Sequence, residues 1–217
     1  MIRRFKKTIG NFFANLVSNG AARSKLRAQY YKGFIAQYPD IIVDADWRKN
    51  SQTLEGNESG AIIGTFVRAI SNLPLDDNSR ILLAGENICA KNIYQKILNL
   101  NIDQIAIAGL DETSDFDWNF ERAPPKTLGK FDLIVSYAIL EHLLDPYRHA
   151  CDLFGLLKPK AILAVYTVMP NFHYHRHPVD CMRFFPDWFY ETAKRNNATV
   201  KKMYISDDHI VTIFVKN

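Results

Sequence analysis

From Ser79 onward the chain alternates between short apolar runs and stretches with helical periodicity. SRILLAG (79–85) reads as a short apolar strand, and NIYQKILNL (92–100) follows at helical period. QIAIAGL (104–110) is a second strand and FDLIVSY (131–137) a third, nearly all apolar. A helical stretch over 146–157, the strand AILAVYTV (161–168) and the helix DWFYETAKRNN (187–197) come next. TVKKMYI (199–205) and HIVTIFV (209–215), joined by Ser206 to Asp208, are strand-like. Strands without a polar face, separated by helices, predict an α/β fold: a doubly wound, mostly parallel sheet covered on both sides. The last two runs predict an antiparallel hairpin at its edge. Ligands of such sheets bind beyond the carboxyl ends of the strands, so the chemistry is sought just after Ala84, Leu110, Tyr137 and Val168.

Upstream, AIIGTFVRAISNL (61–73) places Ile62, Phe66, Ile70 and Leu73 at helical spacing and ends at Pro74. The polar run DWRKNSQTLEGNESG (46–60) reads as a linker or exposed loop. Three segments follow: an extension over 1–45, the linker over 46–60 and an α/β domain over 61–217.

Charge separates the first from the last. Residues 1–39 carry eight Lys or Arg and no acid, so the net charge of +4 belongs to the extension and the remainder is mildly acidic. Within MIRRFKKTIGNFFANL, one 100° arc of a helical wheel holds Ile2, Phe5, Ile9, Phe12, Phe13 and Leu16, with Arg3, Arg4 and Lys7 outside it. This basic amphipathic helix has three open readings: peripheral contact of residues 1–17 with an anionic membrane surface, docking on the chain's own domain, or a mitochondrial-type transit peptide. An acidic body and the lack of any RNA- or DNA-binding motif argue against nucleic acid.

Three widely spaced cysteines without a CxxC pair, Cys89, Cys151 and Cys181, suggest neither a disulfide framework nor a zinc ribbon. A reducing compartment is expected. No apolar run approaches the ~20 residues that cross a bilayer, and the first residues lack an apolar block of signal-peptide type. The expected location is therefore cytoplasmic, with the membrane periphery as the variant offered by the basic helix.

FDLIVSYAILEHLLDPYRHACDLFGLLKPKAILAVYTV (131–168) resembles the fourth strand, EH-containing turn, helix and fifth strand of class I S-adenosylmethionine-dependent methyltransferases. HRHPVDCMRFFPDWF (175–189) is similar to a segment of members that act on sugars or polysaccharide precursors. The resemblance covers roughly residues 60–217 and implies a Rossmann-like methyltransferase fold, S-adenosylmethionine as cofactor and a small-molecule or glycan acceptor methylated on oxygen. It implies that the turn after the first strand approaches the cofactor, with Gly85 at the first glycine of that turn. Leu83 stands where an acid is expected, Asn87 at the second glycine and Cys89 at the third, so the motif is degraded. Asparagine tolerates positive φ better than most residues, whereas Glu86 brings a negative charge toward the cofactor's carboxylate. Asp111, after the second strand, matches the acid that takes the ribose hydroxyls, and Tyr137 ends the fourth strand of the family at the cofactor side. Only about 20 residues separate Asp111 from Phe131, so a helix and strand of the family are trimmed; DWNFE (117–121) is the candidate for the missing strand, with Asp117 or Asn119 near the adenine.

On the acceptor side, His173, His175 and His177 recur every second residue, which in an extended chain points all three to one face. Imidazoles suit proton transfer near neutrality, so these three are the candidate bases, with His142 of the EH pair second. Asp180 and Arg183 are candidates for binding the acceptor or bracing the loop. The aromatic group around Phe184 to Tyr190 walls a sugar site or packs the core, and Cys181 is expected to be a packed, inert thiol. No metal is assigned. Two other readings stay open: a non-catalytic relative that keeps the fold as a binding or scaffold module, and a metal-dependent enzyme using His173, His175 and His177. The pattern specifies neither the acceptor's identity nor an oligomeric state.

Overall fold

The computed structural model describes residues 40–43, 64–170, 172–205 and 208–217. The basic helix, the linker over 46–60 and Ile62 lie outside the described residues. Two compact units divide the chain, Met1–Ile41 and Ile42–Asn217, and the sheet with its helices belongs to the second. No helix among the described residues is long and apolar enough to cross a membrane.

Seven strands build the body of the sheet: β1 (Ile81–Ala84), β2 (Ile105–Gly109), β3 (Phe116–Asp117), β4 (Phe131–Tyr137), β5 (Leu157–Val168), β6 (Ala198–Ile205) and β7 (His209–Lys216). Their order is β6-β7-β5-β4-β1-β2-β3. β1 to β5 pair in parallel, whereas β7 runs antiparallel to both β5 and β6. The fold is thus the expected α/β arrangement, a mostly parallel doubly wound sheet with an antiparallel hairpin at one edge.

Four helices cover it: α1 (Gly64–Ile70), α2 (Ile88–Leu98), α3 (Pro146–Leu156) and α4 (Pro186–Arg195). The side chains of β1 are inaccessible along its whole length, so both faces of the sheet need a cover. One face packs Phe66 and Ile70 of α1 and Tyr94 and Leu98 of α2 against Ile81, Leu83, Leu133 and Val135. On the other, Phe154 of α3 and Phe189 of α4 meet Phe214 of β7 at ring separations of 5.3 and 6.2 Å.

Local chemistry sets the boundaries. α2 begins four residues before Asn92 because Asn87 caps it, its Oδ1 accepting from the Ala90 amide at 3.0 Å; it stops at Asn99, which turns left-handed at φ 53°. α3 starts where the pattern predicts, with Pro146 in its first turn and Asp145 accepting from the Arg148 amide at 3.0 Å. α1 ends at Ile70, three residues short of Leu73. β5 starts four residues ahead of AILAVYTV, since Lys158 and Lys160 hide the strand period and Lys160 sits at φ 64°. DWNFE supplies strand at Asp117 alone, because Asn119 Oδ1 accepts from the Glu121 amide at 2.9 Å and turns the chain away.

Candidate functional site

The carboxyl ends of β1, β2 and β4 meet where neighbouring crossovers leave β1 and β4 in opposite directions. Gly85 follows β1 at φ 82° and donates its amide to the Ala108 carbonyl at 2.8 Å. That conformation disfavours any residue with a Cβ. A Cβ at Gly85 would also collide with the Ile139 side chain, 2.8 Å from its Cγ1, and touch Phe120 at 3.4 Å. Sequence reasoning gave Asn87 a share of the left-handed backbone; instead Asn87 is extended at φ −114° and its side chain is committed to the cap. Cys89 lies exposed in the first turn of α2, and Leu83 is fully buried in β1.

Glu86 does not project its charge over the turn as feared. Tyr94 Oη donates to its Oε1 at 3.2 Å, and burial pushes the carboxyl up to about 7 against the opposing effect of that hydrogen bond. The carboxyl therefore holds its proton to higher pH than an ordinary glutamate.

Asp111, past the end of β2, is exposed, and one oxygen, Oδ1, accepts from both the amide and the hydroxyl of Thr113. These two bonds hold its carboxyl below the usual range. Thr113 Oγ1 in turn accepts from the Ile88 amide at 3.1 Å, which ties Asp111 to the first turn of α2. Tyr137 stacks on Tyr166 at 4.4 Å and presents an edge to Phe66 at 5.2 Å. The next residue, Ala138, is left-handed at φ 54°, a strained state for a residue with a Cβ, and it delivers Ile139 against Gly85.

The loop after β5 carries the histidines. His142, from a 3-10 turn over Leu140–His142, stands 4.9 Å from the His175 ring and 6.4 Å from that of His177. His173 stacks on Phe172 and lies 6.0 Å from His175. His175 is thus central, His173 and His177 are exposed, and the chain turns back at a cis His177–Pro178 bond. Instead of a row of three on one face, the tight group is His142 and His175 with Glu141, whose ligand atoms all lie within 4.8 Å of one another. Sequence reasoning assigned no metal and grouped His173, His175 and His177; it missed Glu141, which is fully buried.

Asp180 and Arg183 brace this loop. Both nitrogens of the Arg183 fork reach the Asp180 carboxylate, and Nη2 also donates to the His173 carbonyl at 3.0 Å. Asp180 Oδ2 accepts from the His175 amide at 2.7 Å. The guanidinium holds the Asp180 carboxyl well below the usual carboxylate range, although its side chain is nearly inaccessible. Of the aromatic group, Phe184 and Phe189 are core, and Phe185 is exposed. Cys181 is exposed rather than packed.

His149 went unremarked in the sequence. It lies on α3, inaccessible, between the rings of Trp118 (5.3 Å) and Phe120 (4.6 Å). Neither ring nitrogen has a hydrogen-bond partner among the described residues. Burial, with the nearby Arg148 charge, pushes it down to about 3, so it is neutral at any physiological pH. The only sequence signal was its place on the apolar stripe of α3.

No family model matches the chain, and no curated protein matches it in sequence. Solved structures do match in shape. A [4+2]-cyclase, SpnF, aligns with a TM-score of 0.55 at 13% identity, over 87% of this chain and 92% of its own. An S-adenosylmethionine-dependent methyltransferase from Mesorhizobium loti gives 0.54 at 11% identity, over 70% of this chain and 97% of its own. An O-methyltransferase family protein from Burkholderia thailandensis gives 0.50 at 13% identity over 70% of this chain, which spans 55% of that protein's length. A cyclase among these neighbours underlines that a shared scaffold does not carry a reaction with it. What the likeness establishes is that this chain has the Rossmann-like fold of class I methyltransferases.

Proposed function

We propose that the chain is an S-adenosylmethionine-dependent methyltransferase acting on an oxygen of a sugar, glycan or related small molecule. The observation that carries the reading is the exposed, left-handed Gly85 at the point where the crossovers diverge, the place at which sheets of this kind receive their ligands. The residues present fit the cofactor. Gly85 is exposed although Ile139 fills its Cβ side, Asp111 is an exposed carboxylate at the end of β2, and Glu86 is turned toward Tyr94.

In this reading Gly85 and Asn87 line the cofactor's approach, Asp111 takes the ribose hydroxyls and Tyr137 lies behind the reacting end. The cofactor supplies an electrophilic methyl group on a sulfonium. The chain's own contribution is alignment and exclusion of water, with removal of the acceptor's hydroxyl proton by an exposed imidazole, His173 or His177. Asp180 and Arg183 act through the loop they brace.

Calorimetric titration with S-adenosylmethionine and S-adenosylhomocysteine tests the reading. Saturable heat and a rise in Tm are expected with each ligand. Absence of both would leave the non-catalytic binding or scaffold member as the account of the chain.

A further inference from the structure

Glu141, His142 and His175 come from two separate segments, the 3-10 turn after β4 and the loop after β5. Their ligand atoms lie within 4.8 Å of one another. Donors bound to zinc at about 2.0 to 2.2 Å stand roughly 3.3 to 3.6 Å apart in a tetrahedral site. Closing this group around an ion therefore requires about an ångström of inward movement, within reach of imidazole rotation.

Two further observations point at a missing ligand. Glu141 is fully buried, and its Oε1 has no hydrogen-bond partner among the described residues. Buried carboxylate oxygens without a partner are costly and rare, and an ion is one of the few things that satisfies them. The surrounding groups are also arranged as an outer shell. Thr167 Oγ1 donates to Glu141 Oε2 at 2.6 Å. The Val179 carbonyl faces His142 Nδ1; a carbonyl only accepts, so Nδ1 carries the proton and Nε2 presents its lone pair. His175 Nδ1 is likewise buried without a hydrogen-bond partner among the described residues, with Asp180 Oδ2 3.5 Å away as the nearby anionic group.

We propose that Glu141, His142 and His175 form a binding site for a divalent first-row transition ion, with zinc as its first occupant. Two imidazoles and one carboxylate are borderline donors that suit zinc, ferrous iron or manganese and not calcium or magnesium. Three protein ligands leave a coordination position for water or for an oxygen of a bound molecule. The site stands independently of the methyl-transfer reading, since its residues are not those assigned to the cofactor.

The test uses the full chain, stripped with chelator and dialysed. Zinc is titrated by calorimetry, ferrous iron and manganese in parallel, the iron anaerobically, and bound metal is counted by elemental analysis. One ion per chain is expected, with a higher Tm in its presence. Glu141→Gln and His175→Ala should each weaken binding at least tenfold and abolish the Tm shift, while His173→Ala changes affinity by less than twofold. Because Glu141→Gln touches a buried group, Thr167→Val provides a second variant that removes only an outer-shell bond; a tenfold loss is expected there too. X-ray absorption of the zinc form should show nitrogen and oxygen donors and no sulfur. Failure to bind one ion, sulfur ligation, or equal binding by all variants overturns the site. Cofactor titration reads a different heat, so either proposal fails alone.

Discussion

Ile139 fills the space that a Cβ on Gly85 would need, so the turns after β1 and β4 are locked together by the absence of a side chain at one of them. Gly85→Ala carries two penalties. The left-handed φ costs about 1 to 2 kcal/mol, and crowding against Ile139 adds roughly 1 to 3 kcal/mol. Urea unfolding should show a loss of about 2 to 5 kcal/mol on these grounds. Adding Ile139→Ala recovers the crowding part and leaves the backbone part, so the two changes are non-additive.

A half-buried carboxyl, Glu86, and a buried imidazole, His149, give stability opposite dependences on pH. Glu86 has a folded pKa of about 7, above its ordinary 4.5, so the folded state holds the proton longer and stability falls as pH rises from about 4.5 through 7. His149 has a folded pKa of about 3, below its ordinary 6.5, so its neutral burial stabilises fully above 6.5 and is lost as pH falls toward 3. Each span is an upper bound of about 3 to 5 kcal/mol at ~1.4 kcal/mol per pH unit. Thermal unfolding from pH 4 to 8 should show Glu86→Gln gaining stability over wild type above pH 7. His149→Leu, of similar volume and without orphaned nitrogens, should lose less stability than wild type on acidification.

The Asp180 and Arg183 pair holds the loop after β5 through the backbone of His173 and His175. Breaking it leaves a nearly inaccessible carboxylate or a guanidinium without its fork partner. Asp180→Ala should cost about 1 to 3 kcal/mol, and Arg183→Lys should restore little because an ammonium cannot supply two parallel bonds. Hydrogen exchange reads this directly: amides of 172–183 should lose protection in Asp180→Ala while those of β1 and β4 keep theirs.

Much of the fold was legible because the strands are buried on both faces and read as unbroken apolar runs, as in Ile81–Ala84 and Phe131–Tyr137. Helix starts were less legible, because a cap such as Asn87 is a single polar residue that a period search passes over. Gly85 was found at its place in the chain, whereas the role of Asn87 was not, since cap and left-handed turn draw on the same residue type. The histidine pattern suggested a row of three. The structure instead draws in Glu141 and His142, which lie more than 30 positions before His175 and share no period with it. His149 was invisible for the opposite reason: it sits on an apolar stripe, where only three-dimensional packing reveals that its nitrogens have no partner.

β7 lies between β5 and β6 although it follows both in sequence. As the chain leaves the ribosome, β5 therefore waits with its outer edge bare, and β6 with no neighbour on its inner side, until residues 209–216 have been made. During that interval Ile162, Ala164 and Tyr166 lack their partners Val215, Ile213 and Val211, and an unpaired apolar edge invites pairing with another chain. Nascent copies stalled before residue 209 should thus be the form most in need of a chaperone.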